Sequence, residues 1–273
     1  MLCDSLAMAK TLELRGKSVL LTGASRGIGR ELARLLAAEG ARLVLVARGA
    51  SELEKLAAEL REGGGEAFAV PMDLRDDESV ARGVARARAL LGAIDVLVND
   101  AGVAHQAPFL ALEPSHVRDE IELNYLGAVR TVRAVLPEML ARGAGAIVNV
   151  SSVLGIVAGP SVATYSASKA ALDAFTFALR GEVAARGLRV TLFVAPHTAT
   201  EAGKSVRFDG VPIADPKVVA SHALRALRRG RRRSFSGIGN RILVAVSRLS
   251  PRLGDRLMAN TTRALLAERQ SGR

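Results

Sequence analysis

The chain contains only two tyrosines, and one of them, Tyr165, stands four positions before Lys169. On a helix, residues four apart project from the same face, one turn from each other. A lysine ammonium beside a phenol favours the phenolate, so it would pull the tyrosine pKa from about 10 toward neutral pH. The pair has the chemistry of a proton donor. Taken alone, the same spacing also suits a surface pair that stabilises a helix by about 0.2–0.5 kcal/mol.

A glycine-rich segment near the start of the chain, TGASRGIG from Thr22 to Gly29, follows an apolar run and precedes a helix-like pattern. Gly23 permits a tight turn, while Gly27 and Gly29 let the backbone approach a pyrophosphate at the positive N-terminus of the helix. A glycine cluster alone is weak evidence, but the strand-to-helix context is the one that the motif requires. The segment therefore predicts a dinucleotide-binding site rather than a structural turn.

Two arginines near this segment indicate which dinucleotide binds. An NAD site usually has an acidic residue at the end of the second strand, where it holds the ribose 2′-hydroxyl. Here the second apolar run ends in VAR, so Arg48 stands in that place, and Arg26 lies within the glycine loop. Guanidiniums bind a 2′-phosphate through paired hydrogen bonds. The two residues predict NADP(H), unless Arg48 is only a solvated residue at the strand end.

The elements that must position these residues alternate along the chain. Short apolar runs predict buried strands at Ser18–Thr22, Arg42–Ala47, Ala67–Val70, Ile94–Val98, Ala146–Val150 and Val190–Val194. Longer periodic segments predict helices at Ile28–Glu39, Ser51–Glu62, Glu78–Leu91, Ser115–Leu140 and Ala163–Ala185. This alternation predicts an α/β fold of the Rossmann type, a doubly wound parallel sheet that binds ligands at the carboxyl ends of its strands.

Three further motifs accompany the opening pair. NDAG (Asn99–Gly102) follows the fourth strand, Asn124 lies on the long helix within ELNYLG, and Ser151–Ser152 ends the fifth strand. With the glycine loop and YSASK, these motifs resemble the short-chain dehydrogenase/reductase family, and more narrowly its compact single-domain branch. The resemblance covers roughly Gly16–Pro196.

The resemblance implies a catalytic tetrad of Asn124, Ser152, Tyr165 and Lys169. Ser152 fits better than Ser151, because the family's serine stands thirteen positions before the tyrosine. The serine would hydrogen-bond the substrate oxygen, the tyrosine would give it a proton, the lysine would lower the tyrosine pKa and bind the nicotinamide ribose, and the asparagine would hold a water. The chemistry is coherent by itself, because a ketone that becomes an alkoxide needs donors at its oxygen and an acid.

The resemblance also implies cofactor contacts along the strand ends. These contacts are Gly23, Ser25, Arg26, Gly27, Ile28, Gly29, Arg48, Asp73, Leu74, Asn99, Ala101, Gly102, Tyr165, Lys169, Pro196, Thr198 and Thr200. Asp73 is similar to the family's acidic residue that contacts the adenine. The alternative role of N-cap to the next helix can be served as well by Asp76 or Asp77.

The chain departs from the family pattern in two places. Asp100 stands where the family usually has a second Asn, and His197 stands where it has Gly. The second departure leaves open the backbone path and the choice between Thr198 and Thr200 as the residue that contacts the nicotinamide. His197 is also a candidate proton donor on the substrate side. The Pro-x-Thr-x-Thr run that begins at Pro196 is similar to that of 3-ketodihydrosphingosine reductases.

The composition is that of a globular protein in a reducing compartment. The chain has 273 residues, a single Cys3, no Trp and an aromatic content of 3%. These values argue against a disulfide framework and against aromatic platforms for single-stranded nucleic acid. No apolar run approaches the ~18 residues of a membrane span, and the start does not resemble a secretion signal, so we expect a cytoplasmic protein that is ordered from about Leu12. Three histidines are scattered and expected at the surface (His105, His116 and His222), and no cluster predicts a metal site.

The net charge of +11 is concentrated in the last fifth of the chain. Residues 217–273 carry 14 Lys or Arg against two acidic residues, whereas residues 1–216 have a net charge of −1. We therefore divide the chain into a catalytic domain, 12–216, and a basic helical extension, 217–273, that lacks the family's frequent closing strand. Apolar residues recur in the extension at helical spacing beside arginines, namely Ile242, Val246, Leu249, Leu253 and Leu257. The extension could cap the substrate pocket, form a dimer surface or attach to an anionic membrane; nucleic acid is the weakest alternative.

These observations predict an NADPH-dependent carbonyl reductase, or the reverse alcohol dehydrogenase, that forms a homo-oligomer and acts on an apolar, lipid-like substrate. One alternative is a 3-oxoacyl-thioester reductase, which the expected absence of a closing strand disfavours. Another is a non-catalytic protein that senses NADP(H), but a sensor needs no proton donor.

Overall fold

The computed structural model describes residues 11–262, apart from the side chain of Ala202, and in this part of the chain it shows a seven-stranded parallel sheet. The strands are β1 Ser18–Thr22, β2 Arg42–Ala47, β3 Glu66–Pro71, β4 Val96–Asn99, β5 Gly145–Ser152, β6 Leu188–Ala195 and β7 Arg233–Phe235. The central strands are runs of Val and Leu because both faces of a covered parallel sheet are buried. The Rossmann-type fold predicted from the sequence is confirmed.

Helices connect the strands and cover both faces of the sheet. They are α1 Gly27–Ala38, α2 Ala50–Glu62, α3 Asp77–Leu91, α4 Pro114–Ile121, α5 Gly127–Arg142, α6 Ala163–Val183, α7 Glu201–Lys204, α8 Pro216–Arg229, α9 Ile238–Leu249 and α10 Pro251–Asn260. Two of them start at an aspartate whose side chain accepts a backbone N–H: Asp76 caps α3 and Asp215 caps α8. The cap of α3 is therefore Asp76 and not Asp73.

The strand order is β3-β2-β1-β4-β5-β6-β7, so the direction of winding reverses between β1 and β4. β1 pairs with β2 on one side and with β4 on the other, which places Thr22 next to Asn99. The crevice beyond this reversal is where open α/β sheets bind ligands. The glycine loop after β1 and the NDAG segment after β4 both open onto it.

Two apolar cores lie on opposite faces of the sheet. One joins the strands to α1, α2 and α8, and the other joins them to α3, α5 and α6. A third, smaller cluster lies beyond the carboxyl ends of the strands and includes Val206, Val244 and Met258. Because Val244 belongs to α9 and Met258 to α10, the basic extension is packed onto the end of the sheet where ligands bind.

The helix expected at Ser115–Leu140 is interrupted. Residues Glu122–Leu126 form a π-helical turn between α4 and α5. A π turn inserts one extra residue into a helix, and such turns are frequent at functional sites. Helical periodicity alone does not distinguish this widened turn from a regular one.

The expectation that the chain lacks a closing strand is wrong. β7 pairs in parallel with β6, with Phe193 opposite Ser234. The α8 helix that precedes β7 packs on α1. Of the described tail, only α9 and α10 lie outside the layered sheet, so the tail is not purely helical. None of the helices within residues 11–262 has the length and apolarity that crossing a membrane requires.

Candidate active site

A cavity of about 1300 Å³ lies beyond the carboxyl ends of β1, β2, β4, β5 and β6. Most of the candidate site residues line it: Gly23, Ser25, Arg26, Gly27, Ile28, Arg48, Leu74, Ala101, Gly102, Ser152, Tyr165, Lys169, Pro196, Thr198 and Thr200. Residues from elements that are far apart in sequence thus line a single cavity.

The glycine loop is held by close backbone contacts. Gly23 has φ +72°, and a Cβ there would lie 2.7 Å from the Ala101 nitrogen. A Cβ on Gly29 would lie 2.4 Å from the Gly23 carbonyl oxygen. Gly29 therefore faces the loop itself rather than the cavity, so its direct contribution is to bring α1 close to the loop. The loop leaves the N-terminus of α1 at the cavity, as a pyrophosphate site requires.

Arg26 and Arg48 lie at the mouth of the cavity and are both exposed. Their neighbour Arg30 forms an ion pair with Glu52 at 3.1 Å. No ion pair within residues 11–262 involves Arg26 or Arg48, which leaves both guanidiniums available to an anion.

Asn124 lies in the π turn and is buried. Its side-chain oxygen accepts a hydrogen bond from the Val103 nitrogen at 2.8 Å, and its Nδ2 donates to the Val103 oxygen at 2.9 Å and to Ser168 Oγ at 3.0 Å. The amide therefore fixes the NDAG strand end against α6. The widened turn directs this side chain between the two elements.

Ser152 and Tyr165 form the hydroxyl pair of the site. Burial raises the pKa of Tyr165 to about 12, a hydrogen bond with Ser152 acts to lower this pKa, and the charges of Glu120 and Asp100 add to the increase. Lys169 Nζ lies 6.0 Å from the centre of the Tyr165 ring. Burial is thus the dominant influence on the pKa of Tyr165, and the phenol keeps its proton at neutral pH; the lowering of this pKa by Lys169 stays a prediction.

The adjacent serine, Ser151, faces away from this pair. Its hydroxyl hydrogen-bonds Asp173, a residue one turn after Lys169 on α6. Burial raises the pKa of Asp173 to about 6, against the lowering effects of Ser151 and Arg233. Ser152, rather than Ser151, is the serine that meets Tyr165. The buried carboxyl group of Asp173 was not anticipated from the sequence.

Lys169 is buried, and its Nζ donates to the Val150 carbonyl oxygen at 3.1 Å. Burial lowers the pKa of Lys169 to about 8, while Asp100 and Asp173 act to raise it. Asp100 carries the opposite charge that acts on this lysine. Burial raises the pKa of Asp100 to about 7, whereas Lys169 and the Gly29 N–H act to lower it. The Asp100 carboxyl group of NDAG is thus, besides Asp173, a further titratable group next to Lys169.

The loop after β6 contains His197, the second position at which the chain departs from the family pattern. His197 Nε2 lies 2.9 Å from the Gly203 carbonyl oxygen, and its ring stands edge-on to Phe208 with centroids 5.5 Å apart. Thr198 Oγ1 donates to the Pro196 oxygen, and Thr200 caps α7 by accepting from the Gly203 nitrogen at 3.0 Å. His197 therefore fixes the loop while lining the cavity, and both threonines stay candidates for the nicotinamide contact.

Two further candidates lie behind the cavity wall. Asn99 is buried, and its Nδ2 donates to Asn149 Oδ1 at 2.9 Å. Asp73 Oδ1 accepts a hydrogen bond from the backbone nitrogen of Arg75 at 3.0 Å. The neighbours of Asp73, Met72 and Leu74, line the cavity. A direct cofactor contact stays a prediction for both residues.

The histidines expected to be scattered at the surface are not scattered. The rings of His105 and His116 are stacked with centroids 3.9 Å apart. His222 is half-buried, and its Nδ1 lies 2.7 Å from Ser236 Oγ. The tertiary structure brings His105 and His116 into contact and partly buries His222. Their positions along the sequence do not predict either contact.

The substrate side of the cavity is apolar. Leu154, Val206 and Phe208 line it together with Leu257 and Met258 from α10. The tail thus forms one wall of the space in front of Tyr165.

Comparison with known proteins identifies the family to which the chain belongs. The family model described as short chain dehydrogenase matches residues 17–209. The chain is 34% identical over 255 residues to the ketoacyl reductase HetN of Nostoc sp. (89% of this chain, 88% of that protein) and 40% identical over 216 residues to the oxidoreductase UcpA of Salmonella typhimurium (79% and 81%). Among solved structures, it resembles a gluconate 5-dehydrogenase from Burkholderia cenocepacia in complex with NADP and tartrate, with a TM-score of 0.77, 28% identity, and coverage of 84% of this chain and 97% of that one. This chain belongs to the short-chain dehydrogenase family.

Proposed function

We propose that this chain is an NADP(H)-dependent carbonyl reductase, or in reverse an alcohol dehydrogenase, that acts on an apolar ketone or secondary alcohol. The observation that carries the proposal is the hydroxyl pair: a protonated Tyr165 phenol, hydrogen-bonded to Ser152, at an apolar cavity. A ketone oxygen placed between these hydroxyls would meet one hydrogen-bond donor and one acid.

The residues at the mouth of the cavity fit a phosphorylated dinucleotide. The loop around Gly23 presents the N-terminus of α1 to a pyrophosphate. Arg26 and Arg48, which form no ion pair with the residues that the structure describes, suit a 2′-phosphate. The similarity to a dehydrogenase solved with NADP supports the same choice. The bound cofactor supplies or accepts the hydride.

The protein's own residues then transfer the proton to the substrate. Tyr165 donates its proton to the oxygen of the substrate, and Ser152 stabilises the negative charge that develops there. Asn124, fixed by Val103 and Ser168, would hold a water that restores the proton. Lys169, as the ammonium, favours the phenolate that Tyr165 becomes.

The apolar substrate is supported by the aliphatic wall that α9 and α10 complete. A 3-oxoacyl thioester stays the second candidate within the same chemistry. The presence of β7 removes the argument against it, and the similarity to a ketoacyl reductase supports it. The non-catalytic sensor is disfavoured because a sensor needs no protonated phenol beside a serine.

The test is a measurement of NADPH oxidation with a panel of ketones: a 3-keto sphingoid base, a steroid, a 3-oxoacyl thioester and a small aromatic ketone. Turnover that is fastest with the long apolar ketones would support the proposal. Binding of NADPH without turnover of any ketone would favour the sensor instead.

We also propose peripheral attachment to anionic membranes through α9 and α10. Ile242 is 56% exposed and Leu249 88% exposed, so within residues 11–262 these side chains are not part of the apolar cores. Arg241 and Arg248 stand beside them and are exposed. An aliphatic face flanked by arginines suits a surface that is apolar inside and anionic outside. The same helices line the cavity, so attachment would bring its wall to an apolar substrate. Homo-oligomer formation stays a prediction.

A further inference from the structure

A second cavity, of about 320 Å³, lies between α8, β7 and α9. Five arginines and a histidine make up most of its wall: His222, Arg225, Arg229, Arg231, Arg233 and Arg241. We call this cavity the arginine groove. The part of the chain that the structure describes contributes no carboxylate to its wall.

The arginines of the groove are not explained by ion pairs within the fold. Arg228, next to them on α8, pairs with Glu39 at 3.1 Å, but no ion pair between described residues involves Arg225, Arg229, Arg231 or Arg241. Arg225 and Arg229 lie one turn apart on α8, a spacing at which like charges repel. The helix dipole offsets this repulsion for Arg229, in the last turn, and less so for Arg225.

Arg233 adds hydrogen-bonding capacity to the wall of the groove. Its Nε is buried and has no hydrogen-bond partner in the described residues. Burial and the charge of Arg248 lower the pKa of Arg233, and Asp173 only partly compensates. Ser151 donates to Oδ1 of Asp173, and Oδ2 of Asp173 forms no hydrogen bond with Arg233 or with another described residue. The wall of the groove thus includes a guanidinium whose hydrogen-bonding capacity the described residues do not fully use.

The groove adjoins the substrate cavity. His222 belongs to the wall of both spaces, and its Nδ1 is hydrogen-bonded to Ser236, which also lines the substrate cavity. Arg26 and Arg48, assigned to the cofactor, belong to the large cavity alone. The groove is therefore a separate basic site next to the substrate.

We propose that the arginine groove binds the phosphate or diphosphate group of the substrate, whose apolar part carries the ketone into the substrate cavity. This inference rests on the proposed function and narrows its substrate class. Guanidiniums bind phosphate oxygens through paired hydrogen bonds. Sites for whole small molecules have volumes of about 300–1,000 Å³, so a groove at the lower limit fits a head group rather than a complete lipid. A coenzyme A thioester and a phospholipid both offer this chemistry.

The test is calorimetric binding to the NADPH-saturated protein, because saturation keeps the probes away from the cofactor's own phosphate site. The probes are pyrophosphate, coenzyme A and short-chain phosphatidic acid below its micelle concentration. The variant is Arg225→Gln/Arg229→Gln. Its matched control is Arg82→Gln/Arg86→Gln, which removes two exposed arginines at the same spacing on α3. Thermal unfolding checks that both variants fold.

We expect pyrophosphate to bind the parent and the control equally, and the groove variant at least about tenfold more weakly, since a hydrogen bond to a charged group is worth roughly 1.5–3 kcal/mol. Tighter binding of coenzyme A than of phosphatidic acid would identify a thioester as the source, and the reverse a phospholipid. No binding of any probe to the parent, or equal binding to both double variants, would overturn the proposal. These binding measurements do not depend on turnover. A groove that binds no phosphate can therefore be distinguished from a protein that has no reductase activity.

Discussion

Asp100 joins two parts of the site through a single carboxyl group. It accepts the Gly29 N–H at the start of α1 and attracts the Lys169 ammonium. Its pKa, about 7, lies far above the usual value of 3.8. Between these two values the folded protein keeps a proton that the unfolded chain releases. This residue therefore makes the stability of the protein fall as the pH rises from about 4 to 7.

Asp100→Asn should remove this dependence. The amide does not ionise, and its oxygen can still accept from Gly29. We expect the melting temperature at pH 8 to rise by at least roughly 2 °C relative to the parent, with a smaller gain at pH 5. Thermal unfolding at both pH values checks this. An equal change at the two values would show that Asp100 is not protonated in the folded protein.

Arg48 should decide between the two nicotinamide cofactors. In Arg48→Asp, the carboxylate repels a 2′-phosphate but accepts a hydrogen bond from a 2′-hydroxyl. We expect the ratio of kcat/KM for NADPH to that for NADH to fall by at least about tenfold, the equivalent of one charge-assisted hydrogen bond. A parent enzyme that already prefers NADH would contradict this assignment.

The sequence predicted the tetrad residues through their resemblance to the family's motifs, which are local in type and spacing. It did not reveal the charges around them. The pKa of Tyr165 depends on how deeply the fold buries the phenol, and Asp173 reaches Ser151 only because α6 packs on β5. Burial and contacts between distant elements are properties of the folded chain, so the raised pKa of Tyr165 was not anticipated from the sequence, and a lowering contribution of Lys169 to that pKa stays a prediction.

At the scale of elements, the turn from β1 to α1 allows no side chain at Gly29. A Cβ there would also lie 2.8 Å from Asp100 Oδ2, so an added methyl group would separate the glycine loop from the NDAG strand end. The loop and the strand end together form the floor of the proposed cofactor site. The close packing of two backbone segments is thus the physical requirement behind this glycine.

Gly29→Ala should therefore destabilise the protein and weaken NADPH binding. We expect a loss of about 1–3 kcal/mol in the free energy of unfolding, the usual cost of overpacking. Gly181→Ala is the matched control, because Gly181 lies on α6 with open space around it. That variant should be unchanged or more stable by up to about 1 kcal/mol. Denaturant unfolding and NADPH titration measure both effects, and equal behaviour of the two variants would refute the packing argument.

The sequence predicted the first six strands and most helices, because buried runs and helical periodicity are strong local signals. The elements that it missed depend on their neighbours. β7 spans only Arg233–Phe235 and becomes a strand by pairing with β6. The π turn around Asn124 has the same periodicity as the helix that contains it. Neither element has a local pattern of its own.

At the scale of the whole molecule, the excess positive charge lies on the same part of the chain as several exposed aliphatic residues. The described tail contains Ile238, 74% exposed, besides Ile242 and Leu249. Near an anionic leaflet each Lys or Arg contributes about 1 kcal/mol of attraction, and insertion of the aliphatic face adds to it.

We expect the full chain to sediment with anionic vesicles and not with neutral ones. Ile242→Ser/Leu249→Ser should reduce the pelleted fraction, because less apolar surface is inserted. Leu110→Ser is the control, since Leu110 is 97% exposed outside the tail. Equal pelleting with both types of vesicle, or none with either, would eliminate the membrane role and leave the tail as a wall of the substrate cavity.

The central claim is that the Tyr165 phenol gives its proton to the substrate. The most direct test is kcat for NADPH oxidation, with the best ketone of the panel, by Tyr165→Phe. The control is Tyr125→Phe, which removes a hydroxyl from the other tyrosine, where the ring packs edge-on to Phe175. We predict that Tyr165→Phe binds NADPH with nearly unchanged affinity and loses at least ~10²-fold in kcat, the lower range for a positioned acid, while the control keeps its activity. A kcat of Tyr165→Phe within a few-fold of the parent would contradict the account.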